Sequence, residues 1–500
     1  MKKENIEREI IEEKIRGIPD IEIGKKYKVS YKFIENVLRK FSGIALSEIK
    51  EKIEIKKLHP DKFHIEKTTL WSFKNRGKWA THSGEYRGNW SPYIPRNIIL
   101  RYSKLGETVL DPFCGSGTTC IEAKILGRKC IGIDINEKAI ILTKKKINFK
   151  TEEIFPIYEP EIRVGDARNL YFIKNNSIDL ICTHPPYADA IKYTEKKEGD
   201  LSWLEVDEFI LEMKKVAKEF YRVLKPGKKC VFLIGDLRKK KNIIPLGFEL
   251  IDIFQKEGFI LKDLIIKKQH NCKTTGFWYE KSLRYNFLLL AHEYLPIFEK
   301  PVFSEDYKNT IEAVKEVSTN YKTDFEFKLK NKLPFLEVST VWIFSKKEFE
   351  ERLNKNIIKR YSPENMYSVF YIYINGEKFS IIEKLNKKDV QLLFFKIFNK
   401  SEIFSIGEFL NFISDNIFKN ISRIRKKGYI VFQTKDIKLK KELVSIGKEI
   451  VMLFKEKFPF LKLKEIIIVA FSEEIENNSN NSDFKIVHDY LIVFEKNEET

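Results

Sequence analysis

The stretch VLDPFCGSGTTCIEAKILGRKCIGIDI, Val109–Ile135, decides how this chain folds. Val109–Asp111 is apolar and closes on an acid. Gly115 and Gly117 follow within six residues, and Thr118–Leu126 then has helix-forming composition. Lys129–Ile135 is a second apolar run with Asp134 near its end. Strand, glycine turn, helix and strand in that order open a doubly wound parallel sheet. The two glycines let the backbone approach a ligand that side chains would block. The helix from Thr118 aims its unpaired N–H groups at the space above the turn.

The same alternation extends on both sides, so residues 69–300 read as one α/β domain. Strands are expected at Thr108–Phe113, Lys129–Ile135, Glu161–Asp166, Ser177–Thr183, Lys228–Gly235, Phe259–Lys267 and Leu283–Phe298, a mostly parallel seven-stranded sheet. Helices are expected at Thr118–Leu126, Glu137–Asn148, Leu204–Leu224 and Leu246–Glu257. The run KKQHNCKTTGFWYEK, Lys267–Lys281, reads as a polar, aromatic hairpin loop at the sheet edge.

Upstream, residues 1–68 are rich in charge and helix formers. Ile21–Gly43 has a helix-turn-helix cadence: Ile23 and Gly24 on a first helix, a turn near Tyr27–Ser30, and a second helix capped by Ser30. Phe33, Val37 and Leu38 would be buried, and Lys32, Asn36, Arg39 and Lys40 would face a phosphate backbone or base edges. Downstream, residues 301–500 read as an α+β domain, with Glu476–Asp483 (ENNSNNSD) a flexible loop by composition. AHEYLPIFEK, closing the α/β region, is echoed by VHDYLIVFEK near the C-terminus. The echo hints at a degenerate second copy of the sheet's closing half, built from Lys427–Lys438, a helix around Lys440–Lys455, and two further strands, without a second glycine turn.

Bulk composition narrows the partners. Five hundred residues suggest several domains, and 39 Phe can fill sizeable cores. A net charge of +19 biases a surface towards polyanions such as nucleic acid. The basic run Arg238–Lys241, the Lys267–Lys281 loop with Trp278 and Tyr279, and the N-terminal helices are the candidate grips. The six cysteines show no C-x-x-C spacing, and the seven histidines no ligand spacing, so neither a disulfide frame nor a zinc site is expected. The charged N-terminus and the short apolar runs point to a soluble, cytoplasmic chain.

The ligand can be read further. Asp134, at the end of the second strand, can accept both hydroxyls of a ribose. No lysine follows the glycine turn to grip phosphates. A nucleoside without polyphosphate is implied, which suits S-adenosylmethionine. Its cationic sulfonium and amino group prefer acidic neighbours. Asp111 would serve the amino-acid end, and Asp166, in VGDARNL, the adenine amine. A second constellation follows the buried strand DLICT: Thr183-His184-Pro185-Pro186-Tyr187. The prolines remove two N–H donors and fix the backbone, leaving rigid carbonyl acceptors. An amino group could donate to the Pro185 carbonyl and to His184, while a planar base stacks on Tyr187.

DPFCGSGTT (Asp111–Thr119) and THPPY (Thr183–Tyr187) together resemble the amino-methylating DNA methyltransferases, which act on adenine N6 or cytosine N4. The resemblance covers roughly residues 70–300. It implies cofactor binding by Asp111, Phe113, Gly115 and Gly117, with Asp134 and Asp166 completing the pocket. It implies catalytic roles for His184, Pro185, Pro186 and Tyr187. Thr81–Ile99 resembles the family's extra cofactor-side segment. The motif order is like the gamma arrangement, with target recognition in the part that follows. Double-stranded DNA as substrate and a cognate restriction endonuclease as companion are family-level implications. An RNA amino-methyltransferase, or a nucleic-acid-binding module with a vestigial pocket, are the alternative readings. One residue departs from the pattern: the family has Asp, Asn or Ser where this chain has His184. A neutral imidazole accepts a hydrogen bond only through its unprotonated nitrogen, and an imidazolium cannot accept at all.

Overall fold

The protein is described from a computed structural model. It covers residues 6–497 except 8, 11–12, 14–17, 35–36, 38–51, 151–155, 240, 271–274, 303–335, 386, 400, 402–403, 440–441 and 473–483. The readings of Asn36, Leu38, Arg39 and Lys40, and of the Glu476–Asp483 loop, lie outside the described residues.

The first half is an α/β sheet of eight strands. In chain order these are β1 (Leu70–Ser72), β2 (Thr108–Asp111), β3 (Lys129–Asp134), β4 (Glu161–Val164), β5 (Ile178–Thr183), β6 (Leu224–Phe232), β9 (Ile260–Lys268) and β10 (His292–Glu299). A small hairpin, β7 (Leu237–Lys239) with β8 (Asn242–Ile244), stands outside the sheet. The order is β1-β9-β10-β6-β5-β2-β3-β4, with β10 antiparallel to both neighbours and every other pairing parallel. The sequence pattern supplied seven strands; Leu70–Ser72 is too short to show alternation. Strand β5, IDLICT, is buried at all six positions, as a parallel strand covered on both faces must be. The helix Tyr93–Tyr102 lies on one of its faces, with Ile94 and Ile98 beside Leu180 and Cys182. Helix α5 (Val206–Val223) packs alongside on β6, its Phe209, Met213, Val216, Ala217 and Phe220 forming one apolar stripe.

Two expected elements differ. Thr275–Arg284 is a helix (α7), not a hairpin loop, and presents Trp278 and Tyr279 at 42% and 39% exposure. The strand expected from Leu283 begins only at His292. Aromatic residues in this run favour a strand by propensity, but the residues before His292 bond to the second half instead, Leu288 N–H to Glu465 and Leu289 N–H to the Val338 carbonyl. Upstream, the helix-turn-helix cadence holds in part. Helix α1 (Asp20–Tyr27) buries Ile23, Lys28 adopts φ 52°, and the Ser30 hydroxyl accepts from the Phe33 N–H. Ile34 and Val37 are buried, whereas Phe33 is only half-buried. The helical character expected up to residue 68 is absent from the described residues 52–68, which run irregularly over the first half.

The second half carries a seven-stranded sheet of order β11-β18-β19-β15-β14-β12-β13. Its strands are β11 (Val341–Phe344), β12 (Tyr367–Asn375), β13 (Lys378–Lys384), β14 (Val390–Asn399), β15 (Ile424–Thr434), β18 (Leu461–Phe471) and β19 (His488–Lys496). The first six positions repeat the first sheet: β11-β18-β19-β15-β14-β12 matches β1-β9-β10-β6-β5-β2 in order and in direction. Even the β7–β8 hairpin has its counterpart, β16 (Ile437–Leu439) with β17 (Glu442–Val444), where the sequence suggested the start of a helix; α10 begins only at Ile446. The repeat ends at β12. There the chain turns straight back through Gly376 into antiparallel β13, so no glycine turn and no helix follow. One apolar core runs through both halves, joining Phe248, Tyr294 and Phe298 to Phe454, Tyr490 and Phe494. Among the described residues no helix is long and apolar enough to cross a membrane.

Candidate active site

The glycine turn forms as the residues require. Gly115 and Gly117 both sit at positive φ, 50° and 82°. A Cβ on Gly117 would lie 2.6 Å from the Thr143 methyl, so only glycine fits. Gly117 is also the N-cap of α3 (Thr118–Ile125). Asp134 ties the turn to β3: one carboxylate oxygen accepts from Gly115 N–H and the other from Asn136 N–H, each at 2.8 Å. Asn136 then caps α4 (Glu137–Ile147) through Lys138 N–H.

The second constellation leaves the carboxyl end of β5, next to β2 in the sheet. The Thr183 hydroxyl donates to Asp111 at 2.6 Å, so the residue before His184 is bonded to the acid that opens the glycine turn. A cavity that opens to solvent lies between them. Asp111, Phe113, Gly115, Asp134, Asp166, His184 and Pro186 line it. Gly117 and Pro185 do not: the first caps a helix beneath the turn, the second is buried behind its neighbours. Tyr187 faces an adjoining outer cavity that shares His184, Trp90 and Tyr193 with the first.

Charge in the inner cavity is negative. Asp111, Asp134, Asp166 and Asp200 line it, and among the described residues no lysine or arginine does. Burial raises the carboxyls of Asp111 and Asp134 to about 6. Arg168 grips the Asp166 carboxylate through Nε and Nη2 and bonds Glu212 as well. The Asp166 charge is compensated, so it suits a neutral amine better than a cation.

Several lining residues carry no sequence signal of their own. Tyr86 and Tyr193 stack at 6.1 Å across the mouth, and Trp90 stacks on His184 at 5.5 Å. Tyr86 and Trp90 fall within Thr81–Ile99, the segment singled out by resemblance. What fixes it is Glu122, a fully buried acid on α3. Glu122 accepts from Trp79 Nε1 at 2.6 Å and Arg96 Nη1 at 2.9 Å, and lies 2.7 Å from His82 Nε2. Lys267 and Glu293, on β9 and β10, border the outer cavity and pair at 2.7 Å.

Within the basic run Arg238–Lys241, of which Lys240 lies outside the described residues, Arg238 and Lys239 are already paired. Arg238 pairs with buried Glu465 at 2.5 Å, and Lys239 with Asp189 and Glu205 at 3.0 and 2.9 Å. The acids that neutralise these two are remote in sequence, so a reading of local charge misses them.

The acidic cavity at the carboxyl ends of the strands of this doubly wound sheet, next to a Pro-Pro-Tyr turn, stands where open α/β sheets bind ligands. A model of DNA methylases matches residues 21–145 and 178–391, more than half of the chain, and the protein belongs to this amino-methylating (N6/N4) DNA methylase family. A model of RMKL-like methyltransferase domains also matches residues 99–241. Over 117 residues the chain is 34% identical to a tRNA (guanine(10)-N2)-dimethyltransferase of Methanothermobacter thermautotrophicus, covering 23% of this chain and 33% of that one. Over 75 residues it is 44% identical to the Type II methyltransferase M2.LlaDCHI of Lactococcus lactis, covering 15% and 27%. The chain thus spans a third or less of the length of these two relatives. A SAM-dependent methyltransferase structure from Methanosarcina mazei aligns over 41% of this chain and 98% of its own, at 18% identity and a TM-score of 0.30.

Proposed function

We propose that the protein transfers a methyl group from S-adenosylmethionine to the exocyclic amine of a base flipped out of duplex DNA, cytosine N4 or adenine N6. The carrying observation is the Thr183–Asp111 hydrogen bond, which makes the glycine turn and the Pro-Pro-Tyr turn two walls of one cavity. The cavity chemistry fits the cofactor. Its acids suit a sulfonium and an α-amino group, Asp134 suits ribose hydroxyls, and Asp166, compensated by Arg168, suits the adenine amine. Gly115 leaves room beside the Tyr86 ring, where a Cβ would stand 3.1 Å from it. When bound, the cofactor supplies an electrophilic methyl carbon.

The chain's residues do the rest by placement. Tyr187 receives the flipped base on its ring, at a flipping cost of roughly a few kcal/mol. His184 and the Pro185 carbonyl accept hydrogen bonds from the amine and turn its lone pair towards the inner cavity. Pro186 holds the turn rigid, Phe113 walls the cavity, and Gly117 shapes the turn. Lys74 and Arg76 lend the outer cavity positive charge suited to a nucleic-acid backbone, while Lys267 there is paired with Glu293. Residues 301–500, which lack the turn and the Pro-Pro-Tyr constellation, are the candidate target-recognition half. This reading places the protein in the cytoplasm with access to chromosomal DNA. A companion endonuclease follows from the family resemblance alone.

The likeness to a tRNA dimethyltransferase favours an RNA substrate as the second reading. Transfer of tritiated methyl groups to matched DNA and RNA, followed by nucleoside analysis, tests both. Label in N4-methylcytosine or N6-methyladenine of the DNA is expected. Label in the RNA alone overturns the DNA reading. Equal background in the wild type and a P185A/Y187A variant overturns the enzyme reading.

A further inference from the structure

His184 stands where the family has an oxygen acceptor, and a histidine accepts through one ring nitrogen only when its other nitrogen carries the proton. The structure contains a chain of hydrogen bonds that decides which. Lys267 Nζ pairs with Glu293 Oε2 at 2.7 Å. The Tyr187 hydroxyl donates to Glu293 Oε1 at 2.8 Å. The Tyr187 oxygen lies 3.0 Å from His184 Nε2.

A phenol has one hydrogen. Spent on Glu293, it leaves the Tyr187 oxygen able only to accept from the imidazole, so Nε2 carries the proton and Nδ1 the lone pair. The reverse chain needs a protonated Glu293, and Lys267 opposes that. Burial pushes the Glu293 carboxyl up, but the Lys267 charge and the hydrogen bonds from Lys267 and Tyr187 outweigh it, and it settles below its usual range. The imidazole stays neutral. Burial lowers His184 to about 4, with Glu293 raising it and Lys267 and Arg76 lowering it. Trp90 covers the ring at 5.5 Å. Among the described residues Nδ1 makes no hydrogen bond, and it is not sealed from solvent.

We infer that Glu293, held by Lys267 and acting through Tyr187, is a positioning residue that fixes His184 as the Nε2–H tautomer, so that Nδ1 accepts the hydrogen bond of the target amine. Glu293 and Lys267 lie on β10 and β9, far in sequence from the Pro-Pro-Tyr turn, and replace by a relay what an Asp or Asn side chain offers directly. The role rests on the methyl-transfer reading, but the arrangement does not, and the two are tested separately.

The arrangement is read by ¹⁵N NMR of the full chain labelled at histidine, with His184 assigned by its loss in H184N. The wild type should show the Nε2–H tautomer. In E293Q the Lys267 ammonium keeps the amide oxygen, the amide NH₂ turns to Tyr187, and the tautomer should reverse. Y187F, which keeps the ring, should release the tautomer too and serves if E293Q folds poorly. An Nδ1–H tautomer in the wild type, or an unchanged tautomer in both variants, overturns the inference. The role is read by kinetics. E293Q should lower kcat about tenfold to a hundredfold, the range of a lost proton-positioning group, with the cofactor KM little changed. In an H184N background, whose amide oxygen needs no tautomer, E293Q should change kcat less than about threefold. An equal loss in both backgrounds assigns Glu293 a merely structural part and overturns the role. A wild type with the expected tautomer and no transfer to any nucleic acid fails the functional reading instead.

Discussion

Thr69 and His488 meet across the two halves of the chain, hydroxyl to Nδ1, at 2.9 Å. Thr340 and His292 make the same contact with the halves exchanged, at 2.8 Å. Each histidine places Nε2 3.0 Å from a tyrosine hydroxyl, Tyr490 or Tyr294, and each tyrosine donates to an aspartate, Asp436 or Asp236, at 2.9 Å. Exchange of equivalent contacts is the mark of an isologous interface, here formed within one chain. All eight groups are buried, so removing a threonine hydroxyl leaves a histidine nitrogen unsatisfied. T69V and T340V should each cost about 1–3 kcal/mol. Urea unfolding of the full chain checks this, and since one core spans both halves a single transition is expected; two separated transitions would contradict it.

Glu122 holds the aromatic wall of the cavity from below. E122Q leaves Arg96 buried without its counter-charge, and breaking such a pair costs about 3–5 kcal/mol. The segment carrying Trp79, Tyr86 and Trp90 should loosen with it. A fall in melting temperature together with a changed tryptophan emission is the expected result.

Asp111 is kept at the expense of stability. Its carboxyl sits at about 6 in the folded protein against an unfolded value near 3.8. Burial thus disfavours its charged form by on the order of 2–3 kcal/mol at pH 7. D111N retains the oxygen that Thr183 bonds and carries no charge. The variant should melt higher than the ligand-free wild type at pH 7, with the advantage shrinking as pH falls towards 4. Its cofactor affinity should drop at least about tenfold, the signature of a site residue selected for function over stability. Thermal melts across pH and calorimetry with the cofactor measure both.

The pH profile should resolve into two steps. Asp111 and Asp134 take up protons near 6, so affinity for a cationic ligand should weaken as pH falls from 7.5 to 5. His184 protonates only near 4, losing its acceptor nitrogen. KM for the cofactor should therefore rise near pH 6, and kcat fall at lower pH. A kcat that falls first, near 6.5, would contradict a buried, neutral His184.

The sequence by itself determined the local chemistry: the glycine turn at Gly115 and Gly117, the acids ending β2 and β3, the stripe on α5 and the rigid His-Pro-Pro-Tyr run. These follow from residue type and short spacing, because helices, strands and turns answer to neighbours a few positions away. The echo of AHEYLPIFEK in VHDYLIVFEK carried the second sheet for the same reason. Only the tertiary structure decided what meets across long separations. It brought Thr183 to Asp111 and Glu293 to Tyr187, buried Arg238 on Glu465, and tied Leu288 and Leu289, ahead of β10, to the second half. A charge has no readable role until its counter-charge is placed, and a histidine has no readable tautomer until both its nitrogens have found, or not found, a partner.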